Sequence, residues 1–299
     1  MFRNLKAAAV AALCCSLLGA GLTGCDEEAV DSWDPFASSS PKNEVTLVSG
    51  TKKLDVGGTS VNVSCSDGGE KGKPVVVLMH GGGHDLTKLA AFQKTLGKEH
   101  RVCSYDRLGA GASAKPSGPQ SFASTGKILT GVLDQVAGDA PVVLAGHSLG
   151  GLIAARYAPD HVDRVKGLVL MDATPPTMAA DIAKTIPESA KGPAAQVRAQ
   201  NLAVFQGQNP EKLVIKDGEV RSAGSIPVEV IKHGKPYLGA IPQYGQSLEQ
   251  VWSAGQRKWL ALSSDSQLST AEKSGHDIYI DQPDAAVKAI KRVASEAAK

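Results

Sequence analysis

Two hydrophobic periods share this chain. Val61-Asn62-Val63-Ser64-Cys65 alternates as a strand does, and the turn-rich Ser66–Pro74 follows it. PVVVLMH (74–80) is instead a continuous apolar run, the pattern of a strand buried on both faces. TKLAAFQKTLG (87–97) has helical spacing and ends on glycine. The alternation continues with a strand at 101–106, a helix at 121–138 closing on Gly138, and a strand at 141–147. A helix at 149–160 and a strand at 165–172 come next. Residues 173–225 interrupt this rhythm with helical pieces punctuated by proline and glycine. Strand character resumes at IPVEVIK (226–232), followed by a helix around 244–262, a short strand at 267–272 and a final helix at 284–299. Regular strand–helix alternation predicts an α/β architecture, a doubly wound and mostly parallel sheet with 173–225 inserted as a lid or cap.

The N-terminus has a different pattern. Arg3 and Lys6 precede the apolar run AAAVAALCCSLLGAGL (7–22), which has the make-up of a signal peptide. Glycines interrupt the run, and it is short for a membrane span, which takes roughly 20 apolar residues. It closes on Leu22-Thr23-Gly24-Cys25, which resembles the lipobox of bacterial lipoproteins. That resemblance implies export, cleavage after residue 24, and acylation of Cys25 as an anchor in membrane lipid. Residues 25–43, acidic and then rich in serine and proline, read as a tether. Residues 44–299 suffice for one large α/β domain.

Charge excludes one class of partner. The chain has 32 basic and 30 acidic side chains, and residues 1–24 hold Arg3 and Lys6 but no acid, so the remainder is balanced. No basic cluster interleaved with aromatics is present, which argues against nucleic acid. No HExxH, C-x-x-C or zinc-spaced His/Cys cluster is present, and residues 44–299 contain no GxGxxG or GxxxxGK[ST], so neither a metal nor a nucleotide cofactor is expected.

One serine changes the picture. Ser148 lies in Gly146-His147-Ser148-Leu149-Gly150, a G-x-S-x-G match that is weak alone in a chain with 32 glycines. Its setting is specific: a buried strand leads in and a helix leads out. That order puts the serine at the C-terminal end of a sheet strand, on a sharp turn that only small flanking residues allow. His80-Gly81-Gly82-Gly83, after the apolar strand 74–80, lets backbone amides approach a ligand unobstructed. The amides of Gly82 and Leu149 are therefore the expected oxyanion donors.

These pieces together are similar to the α/β-hydrolase superfamily over about residues 45–299. The matching segments are HGGG (80–83), YDRLGAGAS (105–113), GHSLGG (146–151), VLMDATPP (169–176) and SGHDIYIDQPDAAVKAI (274–290). The resemblance implies a serine hydrolase with a Ser-acid-His order. Of the seven histidines, His276 has the base's place, in a loop between the last strand and the last helix, while His80 and His147 have structural places. The acid departs from the common pattern. After IPVEVIK the chain runs His233-Gly234-Lys235-Pro236, with no carboxylate. Some members carry the acid one strand earlier, which selects Asp172, with Asp265 as the alternative. The superfamily's strand order also implies a Cys65–Cys103 disulfide, suited to an oxidising compartment, and Arg107 is expected to anchor its loop rather than bind substrate.

The expected reaction is hydrolysis of a small-molecule carboxylic ester through an acyl-enzyme. An amidase or peptidase would use the same triad. A lipid-anchored binding protein that has lost catalysis is a further reading, supported by the displaced acid and opposed by the intact Ser148 and His276.

Overall fold

A computed structural model describes residues 48–70 and 72–299. The signal segment and the whole tether, Cys25 included, lie outside the described residues.

The chain forms β1 (Gly50–Val56), β2 (Thr59–Cys65), β3 (Val75–Met79), α1 (Ala90–Leu96), β4 (Val102–Tyr105), α2 (Phe122–Ala137), β5 (Val142–His147) and α3 (Leu149–Tyr157). It continues with β6 (Val165–Met171), α4 (Met178–Thr185), α5 (Gly192–Phe205), β7 (Val228–His233), α6 (Gly245–Lys258), β8 (Ser266–Ala271), α7 (Ile278–Asp281) and α8 (Pro283–Glu296). The strands make one eight-stranded sheet in the order β1-β2-β4-β3-β5-β6-β7-β8. Strand β2 is antiparallel to both neighbours, and β4 through β8 pair in parallel.

The continuous apolar runs have the expected cause. In β3, Val75, Val77 and Met79 face a core shared with residues of α2 and α3, whereas Val76 and Leu78 face one shared with α1 and α8. A strand buried on both faces needs apolar side chains at every position, and all five are buried. Helix α2 begins on a reciprocal Ser121–Ser124 capping box and ends at Gly138, whose φ is +53°.

Strand β1 was not foreseen. GTKKLDV is almost entirely exposed at the sheet edge, so it carries no apolar period, and its lysines suit an unprotected edge. The helix expected over 244–262 is α6 followed by a 3-10 turn at Trp259–Leu262. Cys65 and Cys103 sit directly opposite each other in the β2–β4 register and form a disulfide.

Between β6 and β7 the chain leaves the sheet to build α4 and α5. Met178 and Ile182 of α4, Ile186 and Ala194 pack with Leu248 and Trp252 of α6 in a third core of their own. The covering layer above the C-terminal strand ends therefore includes α6, a contribution from outside 173–225.

Candidate active site

Strand β5 ends at His147, and Ser148 turns the chain with φ +51° and ψ −120° before α3 begins at Leu149. This is a strained conformation for a side-chain-bearing residue, of order 1–3 kcal/mol, sustained by its surroundings. Glycine is required on both sides. A Cβ at Gly146 would lie 2.5 Å from the backbone of Gly150 and Gly151, and one at Gly150 would lie 2.3 Å from the carbonyl oxygen of Met79. The turn is thus pressed against the end of β3.

Asp172 ends the neighbouring strand β6, also with positive φ, at +46°. Its N–H donates to the carbonyl of Ile231 at 2.7 Å, which extends the β6–β7 ladder and presents the carboxylate toward β7. The carboxylate is buried and accepts four bonds. His276 Nδ1 donates to Oδ2 at 2.7 Å, Trp252 Nε1 to Oδ1 at 2.9 Å, and the His233 backbone N–H to Oδ1 at 3.2 Å. The His233 ring Nδ1 lies 2.8 and 2.9 Å from the two oxygens. Burial alone would raise this carboxyl, but the hydrogen bonds from His233 and His276 prevail and hold its pKa at about 2.

Asp265 has no part in this arrangement. Its carbonyl accepts from Val228 N at the start of β7, whereas His233 and Asp172 stand at that strand's far end. At about 3.3 Å per residue, the length of β7 separates them.

His276 shares the wall of one cavity with Ser148, and its loop is held from the serine turn itself. His147 Nε2 is 3.0 Å from the His276 carbonyl, and the two rings meet with centroids 4.5 Å apart. Burial, followed by the nearby His276, lowers His147 to about 3, so it is neutral at ordinary pH. The Ser148 hydroxyl lies 3.5 Å from Thr174 Oγ1.

The expected oxyanion donors are adjacent. Gly82 and Leu149 both line the cavity beside Ser148, and a Cβ at Gly82 would lie 3.5 Å from the Leu149 side chain. Leu149 is the first residue of α3, so its N–H has no acceptor within the helix. Arg107 fixes the glycine loop from below. Its guanidinium donates to the carbonyls of His80 (2.6 Å) and Gly81 (3.0 Å), and bidentately to Glu211 at 2.7 Å. It is buried and anchors loops, as its sequence setting implied.

The cavity holds about 600 Å³. Its floor carries Ser148, His276, Gly82 and Leu149, and its roof is largely apolar, with Met178, Ile182, Val204 and Phe205 from the insert and Leu248 and Trp252 from α6. Among the described residues, His84, His147 and Asp277 place one donor atom each within 4.8 Å of one another, the one group with metal-ligand character. The ring of His147 is already engaged by the His276 carbonyl.

Sequence reasoning did not find the partners of Asp172 beyond His276. His233, Trp252, Glu249 and Tyr237 come together only through the β6–β7 pairing and the return of α6. The one available signal was a histidine ending β7 where a carboxylate was sought.

Comparison with known proteins bears on the fold. A family model described as the alpha/beta hydrolase fold matches residues 74–214, which include Ser148 and Asp172 and end before His276. A putative carbamate hydrolase, RutD, of Klebsiella pneumoniae is 33% identical over 146 residues, 46% of this chain and 53% of that protein. Proline iminopeptidase PfmaB of Pestalotiopsis fici is 31% identical over 36% of this chain and 39% of its own length. Mouse protein phosphatase methylesterase 1 is 28% identical over 58% and 44% respectively. The chain thus spans about half or less of these curated relatives. Among solved structures, an enol-lactonase from Burkholderia xenovorans superposes with a TM-score of 0.58 at 20% identity, covering 82% of this chain and all of the other. Carboxylesterase CesB from Bacillus subtilis superposes with a TM-score of 0.55 at 17% identity, covering 83% and 92%. These structural likenesses concern the fold.

Proposed function

We propose that this chain is a hydrolase of the α/β-hydrolase superfamily, whose family model matches residues 74–214 and whose fold it shares, and that it cleaves a small-molecule carboxylic ester through an acyl-enzyme on Ser148. The observation that carries this reading is the position of Ser148. It stands on a strained turn in the wall of an apolar cavity that it shares with His276, whose far nitrogen is 2.7 Å from a buried carboxylate.

In the reaction, Ser148 Oγ attacks the acyl carbon as His276 Nε2 takes its proton. The charge on the new imidazolium is met by Asp172, whose hydrogen bond also fixes Nδ1 as the protonated nitrogen. The amides of Gly82 and Leu149 donate to the oxyanion. Collapse breaks the bond to the leaving alkoxide, which receives the proton from His276. Water then attacks the acyl carbon as His276 takes its proton, and collapse breaks the bond to Ser148, whose Oγ receives that proton from His276. The roof formed by α4, α5 and α6 acts as the lid over an acyl group of modest size, in keeping with the cavity's volume and apolar lining.

Turnover of a panel of p-nitrophenyl esters and aminoacyl anilides tests this. Esters are expected to be cleaved and anilides not, with the Ser148→Ala variant losing about 10⁴-fold or more on the esters. Wild-type turnover in that variant would end the reading, and anilide cleavage surpassing ester cleavage would move it to an amidase.

The reading extends to location. Arg3, Lys6, the apolar run 7–22 and Cys25 support export and lipid anchoring at the cell membrane, and the Cys65–Cys103 disulfide fits an oxidising compartment. Cys25→Ala is expected to abolish acyl labelling in a bacterial host, and retained label on that variant would contradict the anchor.

A further inference from the structure

Hydrolysis as written uses one histidine and one carboxylate, yet Asp172 meets two imidazoles. The second, His233, is buried at the end of β7 and lies between two acids. Its Nδ1 is 2.8 Å from Asp172 Oδ1, and its Nε2 is 2.8 Å from Glu249 Oε2, on α6. Carboxylates are acceptors. A neutral imidazole has one N–H, so it could satisfy only one of these contacts and would point a lone pair at the other acid. With both acids ionised, both short contacts are satisfied only when both ring nitrogens carry hydrogen. Glu249 is itself held in place, its other oxygen accepting the backbone N–H groups of Leu238 (2.5 Å) and Gly239 (3.1 Å).

We propose that His233 is a standing imidazolium, a positioning residue that clamps Asp172 and sets the charge of the catalytic cluster. The catalytic part of this proposal rests on the Ser148–His276–Asp172 reading.

The charge count gives the clamp its purpose. With Asp172 and Glu249 ionised and His233 protonated, the resting cluster has one net negative charge. When His276 takes the serine proton, two carboxylates face two imidazoliums and the cluster becomes neutral. The positive charge on His233 offsets one of the two carboxylates, so the cluster does not hold a proton on His276 at rest and the base stays free to take the one from Ser148. With His233 neutral, an unbalanced carboxylate would persist throughout turnover. The clamp also fixes Asp172 in space: Oδ1 accepts from Trp252 and the His233 backbone, the His233 ring spans both oxygens, and Oδ2 takes the His276 bond.

The surroundings are consistent with a held proton. Asp172 faces His233 from β6, and Glu249 and Trp252 face it from α6. Tyr237, in the loop after β7, meets its ring edge-on at 4.9 Å. Lys232 and Arg257 line a cavity of about 310 Å³ on the far side, together with His233 and Glu249. Burial opposes the charge on His233, but hydrogen bonds and charge from Asp172 and then Glu249 outweigh it, so its pKa lies above the usual histidine value.

Two measurements test the proposal. The first is the side-chain ¹H–¹⁵N spectrum of the wild-type protein at pH 7.5, with His233 assigned by its loss in His233→Asn. Both His233 nitrogens are expected to be protonated; a neutral tautomer at that pH would overturn the proposal without reference to activity. The second is the pH profile of kcat/KM on a p-nitrophenyl ester. Asn keeps a donor near the place of Nδ1 but not the charge. His233→Asn is therefore expected to stay within about threefold at the plateau, with the acidic limb moved up by about one pH unit because the opposing positive charge is gone. His233→Ala, which loses the donor as well, is expected to fall about tenfold or more at the plateau. A His233→Asn profile that superimposes on the wild type would leave the charge without a role and overturn the proposal. Turnover retained by Ser148→Ala would instead sink the hydrolase reading, and the wild-type spectrum would still decide the proton count.

Discussion

Asp172 makes the most exacting demands of any residue here. It is buried and ionised, and it accepts from His276, His233 and Trp252 at 2.7–2.9 Å. Asp172→Asn keeps the shape but turns an acceptor into a mixed donor and acceptor facing two imidazoles. Turnover is expected to fall about 10⁴-fold, as read from kcat on an ester substrate. Asp265→Asn, at the opposite end of the sheet, is expected to leave kcat unchanged. Equal effects of the two substitutions would contradict the assignment. This residue was legible in the sequence because a strand-end aspartate beside the serine strand has few other uses. Its support was not legible, because Glu249 lies 77 positions further along the chain and meets it only through His233. Ser148 and the glycines around it were readable for the opposite reason: the whole device is local.

Among the elements, the serine turn and the roof differ in what their sequences declare. The turn is fixed by close approach. A Cβ at Gly150 would meet the Met79 carbonyl oxygen at 2.3 Å, so Gly150→Ala forces β3 and the turn apart. Its cost is expected to be about 1–3 kcal/mol in denaturant unfolding, with a larger loss of kcat than of stability, since the displaced atoms lie beside Ser148. Unchanged kcat in a folded variant would count against the turn's role. Strands β3, β5 and β6 were readable because burial on both faces leaves an uninterrupted apolar run. The roof was not. Helix α5 buries only Ala194 and therefore shows no clean stripe. The contribution of α6 depends on packing against α4, a contact that no local pattern announces.

Across the whole molecule, pH acts through buried histidines both beside the catalytic cluster and within it, and redox state acts at the disulfide. His80 and His147 are buried with their pKa values held below the ordinary histidine value, first by burial; for His80 the Arg107 charge comes next, and for His147 the neighbouring His276. For a histidine whose folded pKa is depressed, the unfolded chain binds the proton first. Stability is therefore full above the unfolded value of about 6.5 and lost as pH falls toward the folded value, about 3 for His147. His233, raised by its two acids, contributes in the opposite sense, most below its unfolded value and less as pH rises through its folded one. Thermal melts from pH 8 down to pH 4 are expected to show a falling Tm below about 6.5, shallower in His147→Asn. The Cys65–Cys103 bond closes a 38-residue separation at the β2–β4 pair, and its loss costs about 4 kcal/mol in the chain-entropy account. The Cys65→Ala/Cys103→Ala variant is accordingly expected to melt about 10 °C lower, and a Tm equal to the wild type would show the bond to be dispensable. Fluorophosphonate labelling followed by peptide mass spectrometry tests most directly whether Ser148 is a nucleophile activated by His276. One adduct is expected, on the peptide carrying Ser148, absent from Ser148→Ala and strongly slowed in His276→Ala. An adduct on another residue, or none on the folded wild-type protein, would contradict the account.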